Sequence, residues 1–181
     1  RGHRAGRGVG TANVTIWLTG LPSSGKSTLA TALARRLAGV CDTEILDGDQ
    51  VRRELFPELG FCDDDRRENV RRIGRLAVML GRHGVVAIVP VIAPFQDVRK
   101  EVREAHLAAG VRFVEVFVDA PLATCVARDV KGLYARALRG EFAGMTGLDG
   151  VYEPPEAPEL RLDTAGMCVV DCVEALARLA G

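Results

Sequence analysis

Serine is nearly missing from this chain of 181 residues: Ser23, Ser24 and Ser27 are the only three, and all fall within the nine residues GLPSSGKST. A phosphoserine form of the protein outside that stretch is therefore excluded. Lysine is almost as scarce, with Lys26, Lys100 and Lys131 against twenty-one arginines. That preference, with abundant Ala and Gly, is a compositional bias, so each surviving lysine needs its own explanation. Net charge is zero, which gives no overall pull towards nucleic acid or an anionic membrane. The five cysteines form no CxxC pair, and no His or Cys cluster has zinc spacing. Free thiols in a reducing cytoplasm follow from that. The longest apolar runs, such as VVAIVPVIAPF, are too short to span a bilayer. The start, RGHRAGRGVG, lacks the apolar centre of a signal peptide and reads as a flexible tail or linker over residues 1–12.

Residues 13–181 read as one domain in which apolar runs alternate with amphipathic ones. Strands are expected at 14–20, 43–49, 85–91, 112–119 and 160–164. Helices are expected at about 26–38, 63–83, 98–109, from Pro121 onward, and at 169–180. Such alternation gives a parallel sheet with helices on both faces and a ligand at the carboxyl ends of the strands. Residues 129–158, richer in Gly, Pro and charge, read as a mobile lid. Trp17 and Cys125 are expected in the core, and His83 and His106 at helix ends, where the dipole favours them. YEPPEAPEL is extended by its prolines and should pack the lid's return to the sheet.

GLPSSGKS matches G-x-x-x-x-G-K-[ST] and lies between the first strand and the first helix, the context this motif requires. Gly20, Leu21, Pro22, Ser23, Ser24, Gly25, Lys26, Ser27 and Thr28 would cradle a nucleoside triphosphate, with backbone N–H groups and the helix N-terminus facing the phosphates. Lys26 would bridge the outer phosphates, and the Ser27 hydroxyl would hold Mg²⁺. No Asn precedes any lysine, so the base-reading motif of a GTPase is missing and ATP is favoured. Two strand-end positions offer acids for the metal shell, Asp119 and the pair Asp47 and Asp49. The pair suits one acid for a metal-bound water and one for an attacking hydroxyl. Asp49 would also serve as a helix cap. Further on, Arg52, Phe61, Arg66 and Asn69 would bind an anion and stack on a flat ring. Arg67, Arg71 and Arg75 read as a solvated face. These residues alone describe a kinase of a small anionic acceptor.

GLPSSGKST, DGDQVR, LGF followed by DRRENVRR, VFVDAPL, Cys125-x-x-Arg-Asp129, KGLYARA, TGLD and YEPPEAPEL occur in the order seen in adenylylsulfate kinases. The chain resembles that family over about residues 14–180. The resemblance implies a P-loop kinase fold of class α/β, with a five-stranded parallel sheet. It implies transfer of the ATP γ-phosphate to the 3′-hydroxyl of adenosine 5′-phosphosulfate. Asp49 would be the acid nearest the acceptor hydroxyl, with Asp47 its strand-end partner. Arg52, Arg66 and Asn69 would bind the phosphosulfate nucleotide and Phe61 would stack on its adenine. Ile92 and Met145 would line the same pocket, and Lys131 would close over both nucleotides from the lid. Relatives often pair, which implies a homodimer, and some are joined to an ATP sulfurylase. Three positions depart from the family pattern. Ala93 stands where relatives carry a phosphorylatable serine. Gln96 replaces an arginine, for which Arg99 would compensate. Met145 replaces the phenylalanine before TGLD that covers the acceptor ring. A same-fold kinase with another alcohol acceptor, and a nucleotide-binding module without transfer, remain as alternatives.

Overall fold

In the computed structural model, which describes residues 13–180, strand β1 (Val14–Thr19) has all six residues buried. It pairs in parallel with β3 (Val86–Pro90) on one side and β4 (Arg112–Asp119) on the other. β2 (Thr43–Ile45) adds beyond β3, and β5 (Leu160–Asp163) beyond β4. The order β2-β3-β1-β4-β5 makes a five-stranded, wholly parallel sheet. The expected tail lies outside the described residues.

Successive side chains of a strand point to opposite faces, so a central strand covered on both sides is mostly apolar, and its two threonines, Thr15 and Thr19, are buried with hydrogen-bond partners. Ile16 and Leu18 face α1 (Lys26–Leu37) and α7 (Val169–Ala180), while Trp17 faces α3 (Asp63–Arg82) and α4 (Gln96–Ala108). Leu29, Leu33 and Leu37 recur every four residues along α1 and are all buried against the first face. Each contributes about 1.5–3 kcal/mol on leaving water. Val70, Ile73 and Ala77 make the matching stripe on α3.

Two elements differ from expectation at the edge that matters. The second strand stops at Ile45, because Asp47 opens a further helix, α2 (Gly48–Leu55). The Asp47 side chain accepts from the Asp49 and Gln50 amides, so the cap is Asp47 and not Asp49. The segment expected as a lid contains a short helix, α6 (Leu133–Leu138), after α5 (Leu122–Arg128). The Asp129 carboxylate accepts from the Tyr134 and Ala135 amides at its start.

His83 ends α3, as its position implies. His106 differs: it is fully buried within the last turn of α4, with Nδ1 donating to the Val102 carbonyl (2.7 Å) and Nε2 accepting from Thr15 Oγ1 (3.0 Å). Burial lowers its pKa from the ordinary value of 6.5, outweighing the bond to Val102. A His held neutral in the fold supports stability above the unfolded pKa and withdraws it as pH falls through the lower folded value. Thermal melts from pH 7.5 down to 5 should therefore fall more steeply for the wild type than for His106→Gln. Parallel curves would show that this ring does not titrate on unfolding.

Candidate functional site

The carboxyl ends of β1, β2 and β3 bring together the loop after β1, Asp47 and residues 91–94. The loop turns tightly under β4. A Cβ on Gly20 would sit 2.3 Å from the Val118 carbonyl oxygen, so only glycine fits there. Gly25 precedes α1 in the left-handed region (φ 107°), without a side-chain cap. The amides of Lys26, Ser27 and Thr28 therefore open the helix without helical acceptors, a ready site for an anion.

The loop's carbonyls are tied down by side chains. Lys26 Nζ donates to the carbonyls of Gly20 (2.9 Å) and Leu21 (2.6 Å). The buried Tyr134 hydroxyl donates to Pro22 (3.0 Å), and Thr164 Oγ1 to Ser24 (2.7 Å). Residue 134 belongs to α6, so the presumed lid segment is anchored to the loop it follows. Burial lowers the pKa of the Lys26 ammonium to about 8; Asp49 and Asp47 oppose the shift and Lys131 adds to it.

Ser27 Oγ donates to Asp47 Oδ2 (3.0 Å), while Asp47 Oδ1 caps α2. Asp49, released from capping, pairs with Lys131 Nζ at 2.5 Å across the mouth of the site. Asp119 is engaged elsewhere, by Arg161 Nη2 at 2.6 Å. The choice left open between strand-end acids thus falls on Asp47 by proximity to Ser27. Among the described residues no cluster of three His, Cys, Asp or Glu could hold a metal alone. A hydroxyl beside one carboxylate does fit a Mg²⁺ that completes its shell with water and phosphate oxygens.

A cavity of about 800 Å³ runs from the loop past these groups. Its walls include Pro22, Ser23, Gly25, Lys26, Ser27 and Thr28, with Asp47, Asp49 and Lys131 at the middle. Arg52, Phe61, Arg66, Asn69, Ile92 and Met145 line the far part. The sequence-derived candidates thus border one space, except Gly20, Leu21, Ser24, Asp119 and Arg99. Phe61 is 72% exposed, which leaves its ring free to stack, and the Arg52 guanidinium lies 4.7 Å from its centroid. Arg66 donates to the Gly144 carbonyl (2.7 Å) and to Thr146 Oγ1 (3.4 Å). Asn69 is buried, with Oδ1 lacking a hydrogen-bond partner in the protein.

The family model for adenylylsulphate kinase matches residues 12–163. The chain belongs to the adenylylsulphate kinase family. An adenylyl-sulfate kinase of Synechococcus sp. (strain JA-3-3Ab) is 48% identical over 167 residues, 92% of this chain and 93% of that one. Another, from Myxococcus xanthus, is 49% identical over 164 residues, 91% and 86% of the two chains. The structure of the Mycobacterium tuberculosis APS kinase in complex with AMPPNP and APS has a TM-score of 0.87 and 41% identity, covering 91% of this chain and 95% of that one.

Within this adenylylsulphate kinase framework, two expectations need correction. Arg99 is no substitute for the arginine missing at Gln96. It is 2% exposed, each nitrogen of its guanidinium is engaged, with Glu115 and two carbonyls, and it does not line the cavity. Arg67 and Arg71 are not simply solvated. Arg67 lies 3.7 Å over the Phe95 ring, and Arg71 pairs with Glu101 at 2.6 Å, joining α3 to α4. Met145 lines the cavity but is mostly buried beneath it, with Cys125 and Tyr134.

Sequence reasoning also passed over residues of the cavity. Phe142 is a second aromatic in its wall, with Arg136 5.5 Å over the ring. At the opposite end, Arg128, Thr164, Met167, Val169 and Cys172 form a wall beside Gly25. Arg128 binds there through the Thr164 carbonyl (2.6 Å). Its place in Cys125-x-x-Arg-Asp129 was the available signal; the others come from the turn after β5 and from α7 and carry no motif.

Lys26 sets a testable pH dependence. With its pKa lowered by burial to about 8, it loses its charge as pH rises, whereas bound phosphates favour the charged form. Calorimetric titration with AMPPNP above pH 8 should show proton uptake and an affinity falling up to about tenfold per pH unit. Lys26→Arg should remove the uptake; proton-neutral binding by the wild type at pH 9 would contradict the burial argument.

Proposed function

We infer that this protein is an adenylyl-sulfate kinase, transferring the γ-phosphate of ATP to the 3′-hydroxyl of adenosine 5′-phosphosulfate. The products are ADP and 3′-phosphoadenosine 5′-phosphosulfate. The observation that carries this reading is the single cavity with an anion-binding helix start at one part and Arg52, Phe61, Arg66 and Asn69 at another. Asp49 and Lys131, paired with each other, line the same cavity.

The residues divide the work as follows. The amides at the start of α1 and Lys26 hold the outer phosphates. Arg128 and the wall at Thr164 and Met167 take the nucleoside end of ATP. Phe61 offers its face to the acceptor adenine, and Arg52 and Arg66 meet the phosphosulfate. Asn69 Oδ1, buried without a partner, awaits a donor from the acceptor. Asp49 accepts the proton of the 3′-hydroxyl as its oxygen bonds to the γ-phosphorus and the bond to the ADP oxygen breaks. Lys131, drawn from Asp49 to the transferring phosphoryl group, offsets the charge that develops there. Ser27 and Asp47 would hold Mg²⁺, Asp47 through water, which when bound neutralises the phosphate oxygens. Residues 129–158 would close over both nucleotides and exclude water.

The setting completes the reading. All five cysteines are free, and among the described residues no helix is long and apolar enough to cross a membrane. We place the enzyme in the cytoplasm, acting as a homodimer on adenylyl sulfate supplied by a sulfurylase.

Incubation with ATP, Mg²⁺ and adenosine 5′-phosphosulfate should yield a species heavier by one phosphate. ADP release that ignores adenylyl sulfate would overturn the assignment. Asp49→Ala should retain AMPPNP binding and lose about 10²–10⁴-fold in turnover. Unchanged turnover would remove Asp49 from the chemistry. Arg66→Ala should weaken the acceptor by about 1.5–3 kcal/mol, read as its KM, with the KM for ATP held.

A further inference from the structure

The loop between β3 and α4 forms one wall of the acceptor part of the cavity through Ile92, Ala93 and Pro94. Its conformation is unusual. Ala93 has φ 44°, in the left-handed region that a residue with a Cβ rarely enters, and is 1% exposed. Such a backbone persists only where its surroundings fix it.

Here three successive carbonyls are each held by a different part of the chain. Ile92 accepts from Thr19 Oγ1 of β1 (2.5 Å). Ala93 accepts from Arg99 Nη1 of α4 (2.6 Å). Pro94 accepts from the Glu153 amide (2.8 Å), in the extended strap that ends the 129–158 segment. Arg99 joins the second of these carbonyls to the strap and to β4. Its Nη2 donates to the Glu153 carbonyl (2.7 Å) and its Nε to Glu115 Oε1 on β4 (2.8 Å). The strap answers from the other side, with Glu153 Oε2 accepting from the Gln96 amide (2.6 Å). Tyr152 OH lies 3.1 Å from Thr19 Oγ1.

We propose that Arg99 is a positioning residue for the acceptor. From beneath the wall it fixes the strained Ala93 turn and locks the return of the lid to it, without touching either substrate. Burial of a guanidinium requires partners for its donors, and the carbonyls of Ala93 and Glu153 with Glu115 supply them. A planar fork meets three acceptors at once; an ammonium on a flexible stem does not. The wall and the strap therefore hold one relative position for as long as Arg99 is in place. The ATP part is built from the loop after β1, Arg128 and Thr164, none of which Arg99 contacts. The direct contacts of Arg99 fall on the acceptor wall, the strap and β4, so the acceptor side takes the larger share of any disturbance there.

This inference rests on the adenylyl-sulfate reading, and wild-type turnover with that acceptor reports on the reading by itself. Arg99→Lys keeps the charge opposite Glu115 but loses the fork. The double variant Arg99→Met with Glu115→Gln removes the fork without leaving a lone buried charge. Either should raise the acceptor KM about tenfold or more, with the KM for ATP within about twofold. A parallel rise in both constants, or no rise in either, would overturn the proposal. If the double variant does not fold, Glu153→Ala, which frees the Gln96 amide, takes its place with the same expected split. Hydrogen exchange supplies a readout independent of turnover. The amides of Glu153 and Gln96, which bond to the Pro94 carbonyl and the Glu153 carboxylate, should exchange faster in Arg99→Lys than in the wild type, and unchanged protection would count against the proposal even in an enzyme inactive on adenylyl sulfate.

Discussion

The carboxylate of Asp47 has two oxygens, and the fold uses each for a different helix. One caps α2 by accepting from the Asp49 and Gln50 amides; the other accepts the Ser27 hydroxyl at the start of α1. That division joins the phosphate-facing helix to the helix that carries Asp49 and Arg52. It also shortens the second strand to three residues, because the chain must leave the sheet before Asp47 to present both oxygens. Without it, Asp49 would have to cap α2 and its side chain would be turned to the backbone. The acid is instead free to meet Lys131.

Around that junction the charges are arranged in opposed pairs rather than as one field. Lys26 is buried among carbonyls, and its ammonium is accordingly easier to deprotonate. Lys131 faces Asp49 in the more open part of the site. Arg52 lies over an exposed ring, and Arg66 reaches the Gly144 carbonyl in the segment above it. Most cations of the cavity thus have a local partner within the protein. A highly charged ligand exchanges with these partners instead of entering a bare positive cleft, which moderates both affinity and its salt dependence.

Much of this was legible in the residues. β1 and β4 fall where their apolar runs lie, and α3 follows its 3.6-residue period closely, since period and burial are set by local geometry. The phosphate loop was readable because its glycine and lysine positions answer a backbone need. The cap was misplaced by two residues because DGD offers an aspartate on either side of a glycine, and either can begin a helix. The roles of His106 and Arg99 escaped for another reason: one read as a helix-end dipole partner and the other as an anion contact, yet each is satisfied by elements distant in sequence. Thr15 lies 91 residues from His106, and Glu153 lies 54 from Arg99. Periodicity reports which face is buried; it does not report which polar groups find partners there. The far wall at Thr164 and Met167 was invisible for a similar reason, being assembled from ordinary residues brought close by β5.

The sheet order has a consequence for how the chain acquires its site. β1 is the first strand in sequence and the central one in space, and its neighbours are residues 86–90 and 112–119. Its partner registers join Ile16 to Ile88 and to Val114. The loop that follows it packs Gly20 under the Val118 carbonyl. A growing or partly folded chain that ends before β4 therefore lacks the floor on which this loop turns. Contacts of such long sequence separation form late, after their loop-closure entropy has been met. Nucleotide can stabilise the finished domain by mass action, but it has no surface on which to nucleate folding.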